Sequence, residues 1–248
     1  MEHYKFPEEQ AKMIVGAVIE GYRDYIEHRK DRRRLMKISS AFAWTKGNFI
    51  ESKIADECEK YGFTYKKSKA GLTWDYLQFT HKESNILFLI KNADYFDEKA
   101  FSKSNIPAKS NKGAHRTYLH ELSKINKDVV FPSSPPVSLN RTSHNYEQLS
   151  LFVSDKSIST EIKNFQSFYN QFHILTYQID DAYQISSIKQ YIPNPHDNVA
   201  YLVEDLSIHI TGAELTEEDR EIIAPTTAEE LLDPSMFDIG ILEEEDEL

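Results

Sequence analysis

A single cysteine, Cys58, in 248 residues leaves no partner for an intrachain disulfide and no thiolate set for a metal. It falls on the apolar side of a predicted helix and reads as a small buried hydrophobe, not a reactive thiol. Glycine is scarce too. There are eight, with no G-x-G-x-x-G and no P-loop pattern, which argues against loops that cradle dinucleotides or phosphates. Apolar runs stop at five residues, as in Ile86 to Ile90, against the roughly 20 needed to span a bilayer. Met1 to Pro7 is polar and lacks the apolar core of a secretion signal. The chain therefore reads as cytoplasmic, with no membrane partner. H-E-x-x-H and G-x-S-x-G are both missing. Of nine histidines only His115 and His120 lie close, at a spacing of five that shares a helix face poorly. Surface or capping positions are expected for the histidines, and no metal site.

What the chain does have is apolar mass, 40% hydrophobic and 12% aromatic, enough for at least one core. Its formal charge of -11 is unevenly placed. Residues 213–248 carry 14 acidic side chains against Arg220 alone, a net of -13, which leaves +2 for the other 212 residues. The body is mildly basic and the end is acidic. Only the first of these bears on an anionic partner.

Periodicity predicts a helix over 8–36, with Ala11, Ile14, Val15, Val18, Ile19, Tyr22, Tyr25 and Ile26 in one stripe. A second helix is predicted over 47–61, with Ile50, Ile54, Cys58 and Tyr61 on one face and Gly62 as its stop. Strands follow at Phe63–Tyr65, at 72–78 and at Ile86–Ile90, the last buried on both sides if central. A helix near 113–126 and a short strand at Val129–Phe131 complete an α, β, β, β, α, β order. Residues 132–146 are rich in Pro, Ser and Asn, the composition of a linker. Beyond them lie a helix near 159–171, strands at 172–179, 184–192 and 199–203, and Glu-rich helices at 216–223 and 227–232. The resulting division is an α/β core over 1–131, a linker over 132–157, a helix-plus-strands part over 158–212 and an acidic tail over 213–248. The third part either completes the first sheet or forms a small second domain. The expected fold class is α+β or α/β, a mixed sheet with flanking helices.

Directly after the linker stands Gln148-Leu149-Ser150-Leu151-Phe152. This segment resembles the short peptides with which bacterial polymerases and repair proteins bind the replicative sliding clamp, and it matches that pattern at each of its five positions. The resemblance implies that Gln148 hydrogen-bonds at the rim of the clamp pocket. Leu151 and Phe152 would fill its apolar depression, and Leu149 and Ser150 would set the backbone between them. A short extended peptide with two apolar anchors concentrates its binding energy in few side chains. The alternation of Leu149, Leu151 and Val153 equally suits a half-buried strand, and burial of Leu151 and Phe152 separates the two readings.

The order of elements over 47–131 is similar to the restriction-endonuclease-like core of the PD-(D/E)xK nucleases. That resemblance implies a divalent metal, Mg²⁺, held by an acid on the second strand and an acid-x-Lys on the third. Asp75 and Lys91 stand at matching places, but the residue two before Lys91 is Leu89, so one carboxylate is missing. Glu51 on the preceding helix is the substitute. Without a nuclease no cofactor is expected.

Basic residues cluster at Arg32, Arg33, Arg34 and Lys37, at Lys66, Lys67 and Lys69, and at Lys109, Lys112 and Arg116. Such clusters neutralise phosphates and give sequence-independent DNA affinity, and they also suit solvated helix ends and loops. The acidic tail competes with DNA for these patches, contacts a basic partner protein or keeps the chain in solution. Its stretch Leu231–Leu242 is too apolar for solubility alone, so it is expected to pack on the body or on a partner. Three functions remain in view. The first is a clamp-docked accessory protein of bacterial or phage DNA metabolism with non-catalytic DNA affinity, and the second a metal-dependent nuclease. The third is an inhibitor, defence or antitoxin-like protein of a mobile element, acting through the tail.

Overall fold

The computed structural model describes residues 1–70, 74–102, 116–132, 149–154, 165, 167–224 and 237–242, with the backbone alone at 69, 70, 74, 75, 116, 149–154 and 237–242. Helix α1 (Glu8–Leu35) buries every residue of the stripe that periodicity marks, and Met13, Ala17, Gly21 and Arg29 besides. So wide a buried surface lets α1 pack on a sheet and on a second helix at once. That helix, α2 (Lys46–Cys58), crosses α1 closely because Gly21 has no side chain there. A Cβ on Gly21 would stand 2.7 Å from the Ile50 Cα and 2.8 Å from the Phe49 carbonyl oxygen. Ile50, Ile54 and Cys58 are buried as the spacing predicts, and the Cys58 thiol donates to the Ala55 carbonyl at 3.2 Å. Tyr61 is 37% exposed instead, because the helix tightens over Glu59–Tyr61 and ends on Gly62 in the left-handed conformation.

Six strands form one mixed sheet in the order β1-β2-β3-β6-β7-β8. They are β1 (Phe63–Ala70), β2 (Trp74–His81), β3 (Ile86–Asn92), β6 (Gln171–Ile179), β7 (Ile185–Pro193) and β8 (Ala200–Asp205). The strands of the second half thus continue those of the first through the parallel β3–β6 pair, and all other neighbours are antiparallel. Central β3 buries Ile86, Leu87, Phe88 and Leu89 on both faces. Phe88 and Ile90 join α1 and α2 on one face. Leu87 and Leu89 join α3 (Tyr118–Ser123), Phe96 and Phe101 on the other. The fold is a mixed α+β structure, a six-stranded sheet flanked by helices. No described helix is long and apolar enough to cross a membrane.

Two expected elements differ. The helix near 113–126 shortens to α3, which Thr117 caps by accepting from the His120 amide at 3.2 Å. Val129–Phe131 is irregular, not a strand, with Val130 83% exposed. Buried Asn126 explains the arrest: its side chain donates to the Phe172 and Pro193 carbonyls and accepts from the Phe172 amide, all within 2.9 Å. It thereby ties the end of this helical segment to β6 and β7, interior strands that already have a neighbour on each side.

A second, three-stranded sheet has the order β4-β9-β5, from β4 (Arg116–Thr117), β5 (Leu149–Ser154) and β9 (Phe237–Leu242). Strand β5 lies beside β1, and β9 lies beside α3. The last described helix, α4 (Glu217–Ile223), opens with a capping box between Thr216 and Asp219 and packs on α1.

Candidate functional site

Strand β5 carries four of the five residues of the docking segment; Gln148 lies outside the described residues. Its parallel ladder with β9 pairs Leu149 with Phe237, Ser150 with Asp238, Leu151 with Ile239 and Phe152 with Gly240. On its far side β9 pairs antiparallel with Arg116 and Thr117. The extended backbone at 149–154 agrees with the alternation in the sequence. The partner strand comes from the apolar part of the acidic tail, which sequence alone did not connect to this segment. Phe237–Leu242 of that stretch pair within the chain, and residues 231–236 lie outside the described residues. The predicted helix at 227–232 and the acidic run Glu243–Glu247 lie outside the described residues.

The basic end of α1 is also met by the tail. Lys30 lies 2.5 Å from Asp219 and 2.9 Å from Glu27, and Arg34 is 3.8 Å from Glu218. Arg33 donates to the Glu221 carbonyl at 3.0 Å, and Arg23 donates to the Gly212 carbonyl. Burial works to raise the Asp219 carboxyl, but hydrogen bonds from Lys30 and Thr216 outweigh it and hold the group below its usual range. The Asp219 bond, with a second to Glu27, pushes the Lys30 ammonium upward. Arg32 sits 5.5 Å from the centre of the Phe42 ring, and Lys37 is exposed. Along β1, Lys66 and Lys67 are exposed, with Lys66 Nζ 5.5 Å from the Phe165 ring centre and half-exposed Tyr65 next in sequence. Lys69 and Arg116 lie in β1 and β4, and Lys109 and Lys112 are outside the described residues.

Of the nuclease-like set, Glu51 on α2 turns its carboxyl to the sheet and accepts from the Leu77 amide at 2.9 Å. The β2–β3 ladder runs from Phe79–His81 to Ile86–Phe88, so this carboxyl serves β2 beyond the ladder. Burial pushes it up to about 8, although the Leu77 hydrogen bond pulls the other way. Asp75 lies two residues earlier on β2, opposite Lys69 of β1. Lys91 continues the Leu87, Leu89 side of β3, opposite the side that packs against α2. The pleat therefore separates Glu51 and Lys91 across the sheet. Among the described residues no group of three or more His, Cys, Asp or Glu side chains is placed to hold a metal ion.

Sequence reasoning missed a buried polar system on the α1 face. Two histidines lie in the core, not at the surface. His173 Nδ1 is 2.7 Å from the Gln190 amide nitrogen and Nε2 is 3.0 Å from Gln171 Oε1, so the ring is neutral with its proton on Nε2. Burial pushes it down to about 3. His81 lies between Gln10, at 2.9 Å, and Ser84 Oγ, at 2.6 Å, and burial lowers it too. Phe6 stands between the two imidazoles, 6.4 Å and 6.0 Å from their ring centres. The one available signal was positional: His173 occupies a place in β6 that alternates with apolar Leu175 and Tyr177. These groups tie the N-terminal segment to the sheet. Comparison with protein-family models, curated proteins and solved structures finds no match to this chain.

Proposed function

We propose that this chain is an accessory protein of bacterial or phage DNA metabolism that docks on the replicative sliding clamp through Gln148–Phe152. It holds DNA by charge and does not cleave it. The observation that carries the reading is β5. Leu149–Phe152 form an extended strand at the edge of a small sheet, immediately after a Pro-, Ser- and Asn-rich stretch. Extended chain is the form in which short peptides enter the groove of another protein. Exposed Arg34, Lys37, Lys66 and Lys67 support the DNA affinity, since each supplies a charge that can neutralise a phosphate. Support for a non-cleaving body comes from Glu51, whose carboxyl is engaged by Leu77 and favours its proton, and from Lys91 on the other face. The tail-centred alternative has less behind it, because α4 and β9 are engaged within the chain.

A pull-down on the purified bacterial sliding clamp, comparing wild type with Leu151→Ala/Phe152→Ala, tests the reading. The double variant is expected to lose more than nine-tenths of the recovered protein, on the order of the cost of two anchor truncations. Equal recovery would discard it.

A further inference from the structure

We infer that β9 guards the docking peptide in cis: this strand must leave β5 before the clamp can take residues 148–152. The inference rests on the docking reading above and concerns how that site is controlled.

The register is the first ground. Each of Leu149, Ser150, Leu151 and Phe152 has a β9 partner, so the ladder covers the described motif from end to end. Strand β9 is also the middle strand of its sheet, and its departure leaves β4 and β5 with no shared ladder. Geometry is the second ground. Neighbouring positions of a regular strand belong to opposite faces of its sheet. Leu151 and Phe152 are neighbours, and docking asks both to enter one apolar depression. While the ladder holds the strand regular it does not deliver them together. The peptide has to change conformation, and that means release from β9.

The guard is built to be displaced. It spans six residues, contains Gly240 in its interior and, among the described residues, pairs on its other side with the two residues of β4. Glycine weakens a strand, and so small a sheet is marginal by itself. Five acidic residues follow directly on Leu242 and repel one another. What holds β9 near its place is the attachment just upstream. Helix α4 is fixed to the basic end of α1 through Lys30, Arg33 and Arg34, and β9 begins 14 positions after that helix ends at Ile223. A short tether keeps the local concentration of a strand high without adding contacts. Affinity for the clamp then falls in proportion to the fraction of chains whose peptide is released.

The test uses the full chain with Ser154→Cys/Leu242→Cys, a register pair two steps beyond the motif that leaves both anchors intact. Paired strands bring Cα atoms within disulfide reach. Cys58, the chain's own thiol, is buried away from this pair. The purified sliding clamp is titrated with the oxidised and the reduced protein, with full-length Ile239→Pro and with a synthetic peptide of residues 145–155. Oxidation is expected to weaken binding about tenfold or more, with recovery on reduction. Ile239→Pro, which removes a ladder donor, is expected to bind about threefold or more tighter than wild type, approaching the free peptide. If the peptide binds while oxidised and reduced proteins bind equally, the guard is refuted and docking stands. If the peptide itself fails to bind, the docking reading falls and takes this inference with it. Because the oxidised and reduced samples are one polypeptide, a folding defect does not imitate the expected difference.

Discussion

The two sheets of this protein are held in different ways. The six-stranded sheet is sealed on both faces: α1 and α2 cover one, and α3 with Phe96 and Phe101 covers the other. Its polar exceptions are tied down one by one, as Asn126, His173 and Glu51 show. The three-stranded sheet is assembled from short pieces around positions 116, 150 and 240, and its central strand comes from the most acidic part of the chain. One sheet is fixed by burial, which does not depend on any partner. In the other the described contacts are backbone ladders, β9 with β5 and with β4. The segment proposed to dock belongs to this smaller sheet.

The sharpest way to break this comparison is to damage the body alone. Gly21→Val forces a side chain into the Ile50 and Phe49 backbone at the α1–α2 crossing. It is expected to cost about 3 kcal/mol, read as a lowered denaturant midpoint with an unchanged slope. A neutral result would mean that the crossing is loose.

A smaller effect separates the body from the tail by pH. The Glu51 carboxyl is raised in the fold from 4.5 to about 8, so the folded chain keeps a proton that the unfolded chain gives up. Its favourable contribution is complete below pH 4.5 and is lost as pH rises toward 8. His173 has the opposite sign, neutral in the fold and losing stability as pH falls from 6.5 toward 3. Glu51→Gln keeps an oxygen for the Leu77 amide and removes the first of these slopes. It is expected to stabilise the protein by about 1–3 kcal/mol at pH 8 and hardly at all at pH 4. Denaturant unfolding at the two values checks this, and a parallel loss at both would contradict it.

The smallest effect belongs to the tail. Asp219→Ala removes the Lys30 contact and part of the helix cap, at a cost of about 0.5–1 kcal/mol that shrinks with salt. Amide exchange over 217–223 should speed up while the amides of β3 and β6 stay protected. If the β3 amides exchange faster as well, tail and body are one cooperative unit and the contrast between them fails.

Much of the body was legible because its pattern is local. The α1 stripe, the stop at Gly62, the buried β3 run and the strands near 172–179, 184–192 and 199–203 follow from spacing and punctuation within each segment. The boundaries that moved did so for tertiary reasons. Val129–Phe131 has strand-forming residues, but Asn126 anchors the chain before it to β6 and β7, whose pairing edges are both taken. His173 carries a polar side chain, and only two distant amides make its burial tolerable. The basic end of α1 was visible as charge, but its acidic cover was not, because Lys30 and Asp219 are 189 positions apart.

The sequence by itself determined α1, α2 and most strands of the large sheet, where their apolar faces lie and that charge divides between a mildly basic body and an acidic end. These are properties of neighbouring residues, set by side-chain size, branching and the two backbone periods. Tertiary structure alone decided which strands pair, that Glu51 and Lys91 fall on opposite faces, and that Phe237–Leu242 lies against Leu149–Ser154. A backbone ladder accepts almost any extended partner, so its choice depends on how the rest of the molecule brings two segments together.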